Sequence, residues 1–170
     1  MYGLKIAYVR GRKFSLVGWC IQLVEALHIL LSERRLRWPP FYHVSIYDEH
    51  LGRWFDANDL EVKALTDKQF SERYLTIEDF EFDCEIDLTT RQWLLAQVGK
   101  RYSFKAIWSI YRKFKRDRIG LTAPSFVDGQ EGYICTELVL RTLEKLNYPI
   151  NLETIEVTSI EESYHIIRNL

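Results

Sequence analysis

Cysteine is scarce in this chain: Cys20, Cys84 and Cys135 are an odd set with no paired spacing. That argues against a disulfide framework and makes a reducing compartment the default. Neither a C-x-x-C nor an H-E-x-x-H pattern occurs, so no zinc site and no cofactor are expected. With only 4 Pro and 8 Gly, a collagen-like or linker-rich organisation is excluded. A charge excess is also missing, since 23 basic residues face 24 acidic ones. Net charge therefore gives no case for a dedicated nucleic-acid partner. No apolar run reaches the roughly 18 residues of a membrane-spanning helix. The opening Met-Tyr-Gly-Leu-Lys-Ile-Ala-Tyr-Val-Arg reads as a strand rather than a signal peptide. The expected location is cytoplasmic, with lysis or a non-standard route as the way out.

What is present is an ordinary globular balance of 47% apolar and 28% charged residues, enriched to 14% aromatics. A chain of 170 residues with that composition buries a sizeable core without staples. Leu4 to Val9 reads as a strand. Phe14 to Leu31 reads as an amphipathic helix, with Leu16, Trp19, Leu23, Leu27 and Leu30 on its apolar stripe. After Pro39-Pro40 a strand runs from Tyr42 to Tyr47. The polar turn Asp48 to Gly52 then makes a hairpin with a strand starting at Arg53. Further strands are expected at Leu60 to Leu65 and Tyr74 to Asp87. A helical turn capped by Thr66 lies between them, and a helix capped by Thr89 or Thr90 and ended by Gly99 follows. Lys100 to Arg118 has a helical pattern, and 121–132, with Pro124, Gly129 and Gly132, reads as a loop. Ile134 to Leu146 is a helix stopped by Pro149. The tail from Thr154 to Ile167 fits no single pattern. No repeat or linker interrupts the chain, so residues 1–170 read as one α+β domain, a small antiparallel sheet packed against helices.

Two local contexts carry chemistry. His43 opens the strand His-Val-Ser-Ile-Tyr, and Cys135 sits at the first turn of the helix Tyr-Ile-Cys-Thr-Glu-Leu-Val-Leu. A thiol at a helix N-terminus feels unpaired N–H groups and the positive end of the dipole, which favour thiolate. An ordinary cysteine is only about 3% thiolate at neutral pH, and a nearby imidazolium raises that fraction. The same N–H groups suit an oxyanion. A third polar group is needed to orient the imidazole. Asp56 and Asn58 lie on the partner strand of the hairpin, two apart and so on one face, with Asp56 the first choice and Asn58 the second.

The order of these pieces resembles the circularly permuted NlpC-like papain-fold cysteine hydrolases, a group that includes bacterial lipoprotein-like hydrolases and relatives of lecithin:retinol acyltransferase. The matching segments are Pro40-Phe41-Tyr42-His43-Val44-Ser45-Ile46-Tyr47, Trp54-Phe55-Asp56-Ala57, Val98-Gly99-Lys100-Arg101-Tyr102-Ser103 and Tyr133-Ile134-Cys135-Thr136-Glu137-Leu138-Val139. They occur in the permuted order and span roughly residues 4 to 147. The resemblance implies a papain-like fold with Cys135 as nucleophile, His43 as base and Asp56 as orienting residue. It also implies a site lined by Tyr133. Thr136 and Asn58 are further candidates for substrate contact. The implied reaction is acyl transfer through a thioester, with no metal. A peptide or peptidoglycan-stem amide is the leading substrate and a lipid acyl ester or amide the alternative. An idle binding module that kept the fold is the third reading.

Each residue also has a plainer reading. An isolated helical cysteine is more often a small core residue, and Cys20 and Cys84, with no motif around them, are read that way. His50 lies in a turn and is expected to be solvated, while His28 and His165 have no motif. The segment Lys100 to Arg118 holds eight Lys or Arg against one Asp, interleaved with Phe104, Trp108, Ile110, Tyr111 and Phe114. It is read as a solvated helix face with inward aromatics. Its functional alternative is contact with an anionic surface through Lys113, Lys115 and Arg116.

Overall fold

A computed structural model of the chain describes residues 3–13, 16–33, 38–58, 61–103, 134–151 and 158–170. The expectations for Trp108, Lys113, Lys115, Arg116, the 121–132 loop and Tyr133 lie outside the described residues, as do most of those for the basic segment.

The architecture is α+β. Strands β1 (Leu4–Gly11), β2 (His43–Asp48), β3 (Arg53–Asn58), β4 (Glu61–Leu65) and β5 (Tyr74–Phe82) form one antiparallel sheet in the order β4-β3-β2-β1-β5. Helix α1 (Leu16–Glu33) follows β1, α2 (Asp67–Arg73) links β4 to β5, and α3 (Leu88–Gln97) follows β5. Helices α4 (Cys135–Lys145) and α5 (Ile160–Arg168) complete the described elements.

Side-chain alternation gives the sheet two apolar faces. Leu4, Ile6, Tyr8, Val44, Ile46, Phe55, Ala57 and Val62 pack in one core with Leu138, Val139 and Leu143 of α4 and Ile160 and Ile167 of α5. Ala7, Val9, Trp54 and Leu65 point the other way and meet Phe70 of α2 and Tyr74. There the Trp54 and Phe70 rings stack at 3.9 Å and 3°. β1, covered on both sides, therefore reads as a nearly unbroken apolar run.

The β2–β3 hairpin turns where Gly52 takes φ +60. The Asp48 carboxylate holds this turn by accepting from the His50 and Leu51 amides at 2.9 and 3.3 Å. Its other oxygen accepts from Arg91 Nε at 2.7 Å, which pins α3 to the hairpin. Thr66 caps α2 in a capping box with Gln69.

Five expectations are corrected. α3 is capped by Asp87 rather than Thr89 or Thr90: the Asp87 carboxylate accepts from the Thr90 amide at 2.9 Å and the Thr90 hydroxyl at 2.7 Å. β5 stops at Phe82, short of Asp87. Lys100 to Tyr102 is extended rather than helical. Val62 and residues 99–100 exchange backbone hydrogen bonds at 2.8 Å, and Arg101 bridges Glu61. α4 is ended by Asn147 at φ 64, two residues before Pro149. The Asn147 amide donates to Glu144 O and the Tyr148 amide to Leu143 O, a Schellman closure with Asn in the left-handed position. Fifth, the stripe assigned to α1 faces outward. Trp19, Leu27 and Leu30 are exposed, while Gly18, Ile21, Glu25, Ala26 and Ile29 are buried. The tail that fitted no pattern contains α5, started by a capping box between Ser159 and Glu162.

Candidate active site

His43 is the first residue of β2, paired with Val9 of β1. Counting along the hairpin from the Ile46–Phe55 pair, Ser45 comes opposite Asp56. Their side chains bond directly, the Ser45 hydroxyl donating to Asp56 Oδ1 at 2.8 Å. His43, two residues before Ser45, projects from the same face, so its Nε2 reaches the same carboxylate oxygen. The Ser45 hydroxyl oxygen also lies 3.2 Å from Nε2. Asp56 Oδ2 accepts from the Tyr74 hydroxyl at 3.0 Å, and the Asn58 amide donates to that hydroxyl in turn. The Tyr74 ring stacks on His43 at 5.3 Å and 29°. Of the two candidates for third residue, Asp56 is the one on the imidazole, and Asn58 acts one bond further out.

All of this is buried: His43 is 1% exposed, Asp56 0% and Cys135 3%. Cys135 is the first residue of α4, whose N-cap Ile134 offers no side-chain cap. α4 packs across β2 and β3, and its first turn meets the end of β2 where His43 sits. The Cys135 sulfur lies close enough to the His43 ring and the Tyr102 hydroxyl to shift the proton affinity of both. Nε2 is taken by Asp56, so Nδ1 is the ring's other hydrogen-bonding nitrogen.

The electrostatics follow from this crowding. Burial pulls the His43 pKa down, but the Asp56 carboxylate and Cys135 sulfur outweigh it, and the result lies well above the usual histidine value. Burial pushes Asp56 up, yet the His43 charge and the hydrogen bonds from His43, Ser45 and Tyr74 hold its carboxyl below the ordinary range. Tyr102 is driven well above the phenolic value by burial and then by the negative charges of Cys135 and Asp56. A cationic His43 ring beside the Asp56 carboxylate is the state this geometry favours.

The Thr136 hydroxyl, a candidate for substrate contact, instead donates to the Thr158 carbonyl at 2.9 Å in the core. That bond ties the start of α4 to the chain entering α5. Cys84 is a half-buried free thiol away from this site. Sequence reasoning missed Ser45, Tyr74 and Tyr102 as partners. Ser45 and Tyr102 lie inside quoted motifs, so spacing marks them, whereas Tyr74 reaches Asp56 only because β5 starts beside α2. Among the described residues no cluster of His, Cys, Asp and Glu is fit to hold a metal ion. Nor is any helix there long and apolar enough to cross a membrane. Compared with models of protein families, with curated proteins and with solved structures, the chain matches none.

Proposed function

We propose that the chain is a papain-like cysteine enzyme that transfers acyl groups from amides through a Cys135 thioester. The observation that carries the reading is the buried imidazole of His43 bonded through Nε2 to Asp56, with the Cys135 sulfur near enough to act on its charge. Supporting it are the order of elements, with His on the second strand and Cys opening a later helix, and the antiparallel sheet between them.

The thiolate of Cys135 attacks the amide carbonyl carbon, forming a C–S bond and an oxyanion. The Cys135 backbone N–H at the uncapped start of α4 faces that oxyanion. The imidazolium Nδ1–H then protonates the nitrogen, the C–N bond breaks, and the amine leaves. Neutral His43 takes a proton from water, which attacks the thioester. The C–S bond breaks, the acid departs, and the thiolate–imidazolium pair is restored. Asp56 holds the ring in one tautomer throughout. Tyr102, beside the sulfur, shapes the position from which a carbonyl approaches. A peptide or peptidoglycan stem is the substrate class, and a reducing cytoplasm suits the free thiols Cys84 and Cys135.

The test needs no substrate. Cysteine alkylation is followed by mass spectrometry across pH, with Cys84 as internal control. Thiolate ultraviolet absorbance is read in parallel, because it requires no reagent to reach a buried sulfur. Cys135 is expected to react faster than Cys84 at neutral pH, an advantage that His43→Ala removes. Thiolate absorbance that appears only in the ordinary thiol range, in wild type and variant alike, would return Cys135 to a packing role and leave a binding module.

A further inference from the structure

α1 turns the wrong way for a helix in water. Every described α1 side chain that is exposed is apolar: Trp19 at 44%, Leu27 at 38% and Leu30 at 36%. At 100° per residue these three and half-buried Leu23 fall within about 80° of one another, a continuous stripe. Glu25, by contrast, is buried. The orientation is enforced by packing. A Cβ on Gly18 would lie 2.6 Å from the Tyr42 ring, so only glycine lets α1 approach there, and Glu25 accepts from the Ile160 amide at 2.9 Å. Both contacts turn the opposite, apolar side outward.

At the N-terminal end of the stripe lies an open cavity of about 480 Å³. Arg10, Arg12 and Lys13, all exposed, line it together with Trp19 and Trp38, the latter 48% exposed. An apolar helix face with tryptophans at its boundary and cations at its end is the arrangement of an element lying in a membrane interface. Aliphatic side chains enter the acyl boundary, indole rings sit at headgroup depth, and arginine and lysine meet lipid phosphates.

We infer that the exposed face of α1 and the basic cavity beside it dock the protein onto an anionic phospholipid bilayer. The occupant follows from charge complementarity. A partner protein would need no cluster of three cations at one end of an apolar stripe, whereas an anionic bilayer offers hydrocarbon and phosphate at the depths where this face presents leucine and arginine. The docking is independent of the chemistry at Cys135. Tyr42, which shares the cavity wall, is the residue before His43, so a docked surface lies against the strand that carries the ring.

The test is flotation of the full chain with vesicles of phosphatidylcholine plus phosphatidylserine, against phosphatidylcholine alone. Binding is expected only to the anionic vesicles, weakening as salt rises. Arg10→Gln with Lys13→Gln lowers partitioning about 25-fold, at roughly one fivefold step per cation. Leu27→Ser with Leu30→Ser, both at exposed positions, lowers it at least tenfold without changing the thermal melt. Brominated acyl chains quench wild-type tryptophan fluorescence, a reading that needs no variant. Absence of wild-type binding, equal binding by the leucine double variant, or a concentration-dependent dimer that the same leucine substitutions dissociate would each overturn the inference.

Discussion

Asp56 concentrates the strongest interactions of the described site. It accepts from His43, Ser45 and Tyr74 while fully buried, so its charge is stabilised by three donors and one cation. The signs of the two shifts define a stability window. Asp56, with its folded pKa lowered, contributes stability present above its unfolded value near 3.9 and lost as pH falls through the folded value. His43, raised, contributes stability fully present below about 6.5 and lost as pH rises through its folded value. Asp56→Asn keeps the shape and removes the charge. Denaturant unfolding across pH is expected to lose both limbs, and the His43 ring, followed by NMR, to release its proton nearer the ordinary range. Tyr74→Phe deletes one donor to Asp56 and leaves the Asn58 amide without that acceptor. It should cost about 2 kcal/mol in urea unfolding while the Cys135 pair persists.

At the scale of elements, helix ends and one buried carboxyl decide how the helices sit. Glu25 on α1 accepts from the first amide of α5, and its Oε2 has no hydrogen-bond partner among the described residues. Burial, opposed by the Ile160 hydrogen bond and aided by Glu161 and Glu162, raises its pKa to about 7. A raised carboxyl means stability present below the unfolded value near 4.3 and lost as pH climbs through 7. Up to about 3 kcal/mol is at stake. Glu25→Gln is expected to flatten the stability curve over that window, and an unchanged slope would show that Glu25 is not its source. On α3 the cap assignment is tested directly. Asp87→Ala should cost about 1 kcal/mol, and Thr89→Ala much less, by thermal unfolding.

The described residues build a sheet with a core on each face. The site forms where these cores meet at one end of the central strands. His43, Ser45 and Asp56 stem from the face that carries Trp54, Phe70 and Tyr74, while Cys135 belongs to the core on the other face. The pair therefore depends on α4 being seated against β2 and β3, and anything that loosens that seating separates sulfur from ring. β1, hydrogen-bonded on both sides and buried on both faces, should hold the slowest-exchanging amides, and edge strand β4 faster ones, in native-state hydrogen exchange.

Much of this was legible in the chain. The strands near Leu4, Tyr42, Arg53 and Leu60, the Thr66 cap, the helix opening at Cys135 and the pairing of His43 with Asp56 all follow from short-range rules. Alternation sets which residues share a face, a tight turn sets the hairpin register, and a helix start is marked by its neighbours. Contacts between elements decided the rest. Tyr74 reaches Asp56 and Tyr102 reaches Cys135 across gaps in sequence that carry no period. The Asp87 cap was hidden because Thr89 and Thr90 offer equally good local chemistry. The rotation of α1 was undetermined for a deeper reason. Both sides of that helix are apolar, so a hydrophobic period has no preferred phase there. Only the close approach at Gly18 and the Glu25 contact with α5 turned Trp19, Leu27 and Leu30 toward the outside.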